Sequence, residues 1–147
     1  MNMNKLSEKE RENALNEVRI LASIRSPQVL GYRDSFFEVD SNTLCLVMEY
    51  ADQGDLQQRL DSLRQRGELM PEAEIWNVVI KVLLALKVLH RSGIVHRDIK
   101  AANIFLSSNG DAGQEVKLGD MNVSKVARQG LMNTQTGTPY YASPEVW

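Results

Sequence analysis

A single cysteine, Cys45, is all the thiol this sequence has. No intrachain disulfide can form, which excludes a disulfide-stapled scaffold and fits a reducing, cytoplasmic compartment. Cys45 lies in the apolar run Leu44-Cys45-Leu46-Val47-Met48, which predicts core packing in preference to catalysis. An excess of either charge is also missing: 17 Lys and Arg stand against 19 Asp and Glu, a formal net charge of -2. The chain therefore carries no bulk attraction to nucleic acid or acidic membranes, and no nucleic-acid partner is expected. Long hydrophobic runs are absent too. The most apolar stretch, residues 78–89, includes Lys81 and Lys87, and a membrane helix needs about 20 mostly apolar residues. Residues 1–10 are polar and lack the apolar centre of a signal peptide. No membrane insertion is expected.

What is present looks like one ordinary soluble domain: 147 residues, 43% apolar and 24% charged. Ser7-Glu8-Lys9-Glu10 has the capping-box pattern, and Ala14, Leu15, Val18, Leu21, Ala22 and Ile24 recur at helical spacing. A helix is predicted over residues 7–24, stopped by Pro27. Strands are predicted at 29–37 and 44–50, joined by the polar turn Asp40-Ser41-Asn42. A short polar helix follows at 56–66. A second helix, with Pro71 in its first turn, runs to His90; it is apolar nearly all round and should be central. Beyond Ser92-Gly93 come short strand-like runs at 94–95, 104–106 and 116–118, with Asn109-Gly110 as a turn signal between the last two. Residues 120–145 are polar and irregular, a length of loop that is functional or disordered. No internal repeat or low-complexity linker is seen.

The octet His96-Arg97-Asp98-Ile99-Lys100-Ala101-Ala102-Asn103 follows directly after the expected strand at 94–95. Asp98 can accept the proton of a hydroxyl nucleophile, and Lys100 can neutralise charge on a phosphoryl group. Asn103 can offer its carbonyl oxygen to a hard cation such as magnesium. Asp120, 22 residues after Asp98 and at the end of the strand 116–118, would supply a second metal ligand. With Ser143-Pro144-Glu145 further on, these residues resemble a protein kinase. Lys100 and Gly137-Thr138-Pro139-Tyr140-Tyr141 resemble the serine/threonine class. Val47-Met48-Glu49-Tyr50, Gly54-Asp55-Leu56, Ile104-Phe105-Leu106 and Gly119-Asp120 look most like the NIMA-related kinases.

The resemblance covers nearly all of the chain and implies an α+β, two-lobed kinase fold, present in part. Residues 1–50 would be a small-lobe piece with the regulatory helix and two strands. Residues 51–147 would carry the catalytic loop and activation segment of the large lobe. The resemblance implies ATP and Mg2+ as cofactors, proteins bearing Ser or Thr as substrates, and an upstream kinase or self-phosphorylation as activator. It implies microtubule, centrosome or cilium biology.

Residue roles follow from the same resemblance. Read from its helix alone, Glu17 is a solvated residue near Asn13; the resemblance makes it the partner of an ATP-positioning lysine. Met48 matches the gatekeeper. Glu49 and Ala51 bound the hinge whose backbone bonds adenine. Phe105 would lie under the adenine ring, with Gly119 leaving room beside it. Leu21, Tyr32, His96 and Met121 match an apolar spine. Arg97 would meet a phosphate on the activation segment, at Thr134 first and Thr136 second. Thr138 would contact Asp98 and Lys100, and Glu145 would pair with an arginine.

The sequence departs from that pattern in two places. Asp120-Met121-Asn122 stands where kinases carry Asp-Phe-Gly. Met can fill the spine position, Asn tolerates positive φ, and the metal ligand is kept, so altered switching is expected and not lost chemistry. The chain also contains no glycine-rich phosphate loop, no Val-Ala-x-Lys strand and no central large-lobe helix. It reads as the middle of a kinase domain, from a truncated gene model or a partial sequence, and is expected to be inactive alone. Two other readings stay open: a non-catalytic pseudokinase or scaffold, and a non-functional remnant.

Overall fold

The computed structural model describes Met3, residues 7–108 and residues 114–119, with the backbone alone at Glu10, Asn13 and Glu17. The fold is α+β, with two small antiparallel sheets and three helices among the described residues. Helix α1 (Glu8–Ser23) starts where the hydroxyl signal places it, and the Arg11 N–H donates to the Ser7 carbonyl at 3.0 Å. The Glu10 side chain of the capping box lies outside the described residues. Periodicity turns Ala14 and Val18 inward, where they pack with Leu44 and Met3.

Strands β1 (Tyr32–Glu38) and β2 (Thr43–Met48) form the expected hairpin, paired from Tyr32↔Met48 to Glu38↔Thr43. Asn42 turns it at φ 49°, a conformation asparagine tolerates. Two expectations are corrected here. Cys45 is only half-buried, and its strand neighbours Leu46 and Val47 are each 40% exposed. Residues 29–31 do not extend β1. Val29 instead makes a parallel bridge to Leu118 in the other sheet. Val29 and Leu30 are 2% and 9% exposed, and buried backbone must find partners. The edge of the second sheet supplies them.

Helix α2 (Leu56–Gln65) is capped by Asp55, whose side chain accepts the Gln58 N–H at 2.9 Å. Asp55→Ala is expected to cost about 1 kcal/mol, read as a lowered denaturant midpoint at unchanged slope. Helix α3 (Glu72–Arg91) begins after Pro71, which stands just outside its first turn. Arg59 clasps Glu74 through Nε and Nη2, at 3.0 and 3.1 Å, and so ties α2 to α3.

The central position expected for α3 is also corrected. One face, with Val78, Ala85 and Leu89, is buried, while Trp76, Ile80 and Leu83 are 57%, 52% and 59% exposed. A helix is covered only where other elements reach it, and the described elements line one side. None of the described helices is long and apolar enough to cross a membrane.

Strands β3 (Ile104–Ser108) and β4 (Gln114–Leu118) pair antiparallel, Ile104 against Leu118 and Ser108 against Gln114. The Asn109-Gly110 turn signal lies outside the described residues. Leu106, Val116 and Leu118 are at most 2% exposed and form the main core with Leu56, Ala85 and Leu89. The sheet β3–β4 thus rests on α3, and the loop joining α3 to β3 is held at its edge.

Candidate active site

The loop between α3 and β3 carries the octet. Gly93, at φ +71°, ends α3, and the Ile94 N–H folds back onto the Leu89 carbonyl at 2.9 Å. A glycine reaches this conformation without a Cβ penalty. The strand expected at 94–95 does not form: residues 94–99 have no regular structure. Ile94 is an anchor, 4% exposed in the core, and not part of a ladder.

His96 is 2% exposed. Its Nε2 lies 3.0 Å from the Gly119 carbonyl, and its Nδ1 receives the Asp98 N–H at 3.3 Å. An acceptor at Nδ1 assigns the ring proton to Nε2, so the imidazole bridges β4's end to the loop. Arg97 sits at φ 67°, left-handed backbone that a non-glycine residue adopts at a cost of roughly 1–3 kcal/mol. The buried residues on either side, His96 and Asp98, hold it there.

Asp98, Lys100 and Asn103 are brought together. Lys100 Nζ lies 2.7 Å from Asp98 Oδ2. The Asn103 amide nitrogen donates to the same oxygen at 3.0 Å and to the Asp98 carbonyl at 2.7 Å. A single turn of 3-10 helix, Ala101–Asn103, delivers Asn103 into this position, and β3 begins at the next residue. One carboxylate is thus oriented by a cation and an amide in a site only 8% exposed at Asp98. With its nitrogen turned to Asp98, the Asn103 carboxamide offers its carbonyl oxygen as the hard donor a magnesium ion takes. The Gly119 N–H donates to the Asn103 carbonyl at 2.9 Å, so the residue before Asp120 is fixed against Asn103. This donor chemistry fits magnesium. Among the described residues there is no group of three or more His, Cys, Asp or Glu side chains able to hold a metal.

The residues expected around a nucleotide lie along β2, β3 and β4. Met48 ends β2 and is half-buried, as are Glu49 and Ala51 just beyond it. Phe105 pairs with Lys117 across β3 and β4. Gly119 lies close beside Phe105. A Cβ there would come within 2.7 Å of the Phe105 ring and 3.1 Å of Leu30. Glycine leaves the ring its place. Gly119→Ala is expected to displace Phe105 and cost about 1–3 kcal/mol of stability, read by thermal or denaturant unfolding.

Sequence reading missed Lys117, taken as the middle of a short apolar run. Its ammonium lies 2.6 Å from Glu49 Oε1 and 3.3 Å from Glu115 Oε2, and the residue is 8% exposed. Burial pushes the Glu49 carboxyl up, but the Lys117 and Gly31 hydrogen bonds outweigh it and leave the group below its ordinary value. Burial likewise pushes Lys117 down, and the bonds to Glu49 and Glu115 more than restore it, leaving it raised. A lone lysine between the apolar residues Val116 and Leu118 was the available signal.

Leu21 and His96 of the expected spine are buried, and the Tyr32 hydroxyl bonds Ser35 at 2.8 Å. Met121, Asp120, Thr134, Thr136, Thr138, Glu145 and the Glu17 side chain lie outside the described residues.

A family model described as "Protein kinase domain" matches residues 1–147. The chain is similar to the serine/threonine-protein kinase Nek1 of Mus musculus, 39% identical over 99% of the chain and 12% of that relative. It is similar to the serine/threonine-protein kinase Nek5 of Homo sapiens, 41% identical over 99% of the chain and 20% of the relative. A probable serine/threonine-protein kinase nek2 of Dictyostelium discoideum is 36% identical over 95% of the chain and 34% of its own length. The chain therefore spans between about an eighth and a third of these relatives.

Proposed function

Since this chain belongs to the protein kinase family and its relatives are Nek serine/threonine kinases, we propose that the protein carrying it transfers the γ-phosphoryl group of ATP to Ser or Thr hydroxyls of proteins. One observation carries the reading: Lys100 and Asn103 converge on the Asp98 carboxylate in a shielded loop.

The hydroxyl oxygen bonds to the γ-phosphorus as the bond to the β,γ-bridging oxygen breaks, and ADP leaves. Asp98 orients the hydroxyl and takes its proton. Lys100, held beside Asp98, lends its charge to the phosphoryl oxygens. Met48, Glu49, Ala51 and Phe105 would border the adenine, Glu17 would serve a phosphate-binding lysine, and Asn103 with Asp120 would hold magnesium. That ion, when bound, neutralises phosphate charge. Catalysis of this kind is mostly positioning and electrostatics. Arg97 would engage a phosphorylated Thr134 or Thr136, with Thr138 and Glu145 completing the activation segment.

The test is phosphate transfer from labelled ATP by the longest natural polypeptide that carries this chain, with Asp98→Asn as control. Transfer that depends on Asp98 is expected. ATP-dependent thermal stabilisation with no transfer would instead favour the scaffold reading. Met1–Trp147 by itself, which contains no glycine-rich loop, is expected to be silent in the same assay.

A further inference from the structure

We propose that Lys117 is a positioning residue for the nucleotide site, acting through Glu49; this rests on the kinase reading above. Lys117 stands directly across from Phe105 in the β3–β4 register. Opposed residues of an antiparallel pair project from the same face with Cβ atoms about 5 Å apart. The ammonium therefore rises beside the ring assigned to the adenine floor and reaches the Glu49 carboxylate at 2.6 Å.

Glu49 is held at three points. Its backbone N–H donates to the Gly31 carbonyl at 2.7 Å, its Oε2 accepts the Gly31 N–H at 3.1 Å, and its Oε1 takes Lys117. Gly31 permits this closeness, since a Cβ there would stand 3.1 Å from Oε2. Residues 28–30 are in turn bound to β4: the Leu30 N–H donates to the Leu118 carbonyl and the Leu118 N–H to the Gln28 carbonyl, both at 2.8 Å. The loop closes on itself, from β4 through residues 28–31 to Glu49 and back to β4 through Lys117. Among the described residues, the side-chain link between Glu49 and β4 is the ion pair. Removing that link frees the Glu49 end of the hinge to shift relative to Phe105.

Replacing a buried ion pair by well-packed apolar residues is often neutral or even stabilising, so what this part-buried pair contributes is a defined position. The ammonium touches neither Asp98 nor Lys100 in the contacts that hold it, so its loss bears on nucleotide affinity and not on the phosphoryl step.

The experiment is a double-mutant cycle in the longest natural polypeptide that carries the chain, with Lys117→Met, Glu49→Gln and the double variant. KM for ATP, kcat, ADP affinity by calorimetry and thermal midpoint are measured for each. Lys117→Met is expected to raise KM and weaken ADP roughly fivefold or more with kcat within about twofold, and the double variant is expected to match a single one, as coupled partners do. A fall in kcat and midpoint with KM unchanged, or strictly additive KM changes, would overturn the proposal. A wild-type protein that neither transfers phosphate nor binds ADP would instead defeat the kinase reading, a separate result.

Discussion

Asp98→Asn is expected to lower kcat by roughly 10²- to 10⁴-fold, the range that a positioned general base contributes. Asparagine keeps the volume of the side chain, so the loop should hold its path. What disappears is the oxygen that can take a proton and the negative charge that holds Lys100 at 2.7 Å. KM for ATP should move little, because in the kinase reading adenine is bordered by β2, β3 and β4 and not by this loop. Steady-state kinetics beside a thermal melt decide it. A variant that melts like the wild type but keeps more than about a tenth of its kcat would remove Asp98 from the base role.

Leu118→Ala carries the largest expected effect on stability, about 2–5 kcal/mol, because a buried leucine truncated to alanine leaves a cavity in addition to lost transfer energy. Leu118 is 0% exposed in the main core. Its backbone also takes the Leu30 N–H and donates to Gln28. Single domains hold only about 5–15 kcal/mol, so this loss is a large share of the total. Leu83→Ala is the matched control on the bare face of α3, where the side chain is 59% exposed. It should fall within about 0.5 kcal/mol of the wild type. Chemical denaturation of both variants checks the contrast. Equal losses would mean that α3 buries the other face.

Much of this was legible in the residues. Apolar spacing placed α1, and the polar turn Asp40-Ser41-Asn42 between two strand-like runs placed the β1–β2 hairpin. The spacing of Asp98, Lys100 and Asn103 pointed to one compact cluster, because residues two and five apart in a short loop can meet, and Lys100 and Asn103 do meet on the Asp98 carboxylate. Residues 94–95 misled because two apolar residues can be an anchor as easily as a strand. Residues 29–31 misled because strand propensity does not name the partner strand. The half-burial of Cys45 and the bare face of α3 were hidden for one reason: burial depends on which elements arrive from elsewhere.

By itself, then, the sequence carried the helices and the hairpin, which depend on periodicity and turn chemistry, and the short motifs by which it resembles a protein kinase. All of these are local properties. Only the tertiary structure decided that Val29 joins β4, that Gly119 lies close against the Phe105 ring, and that Lys117 reaches Glu49 across 68 residues. Such contacts are chosen by packing and by the need of buried polar groups for partners. A one-dimensional pattern does not encode which distant residue will answer that need.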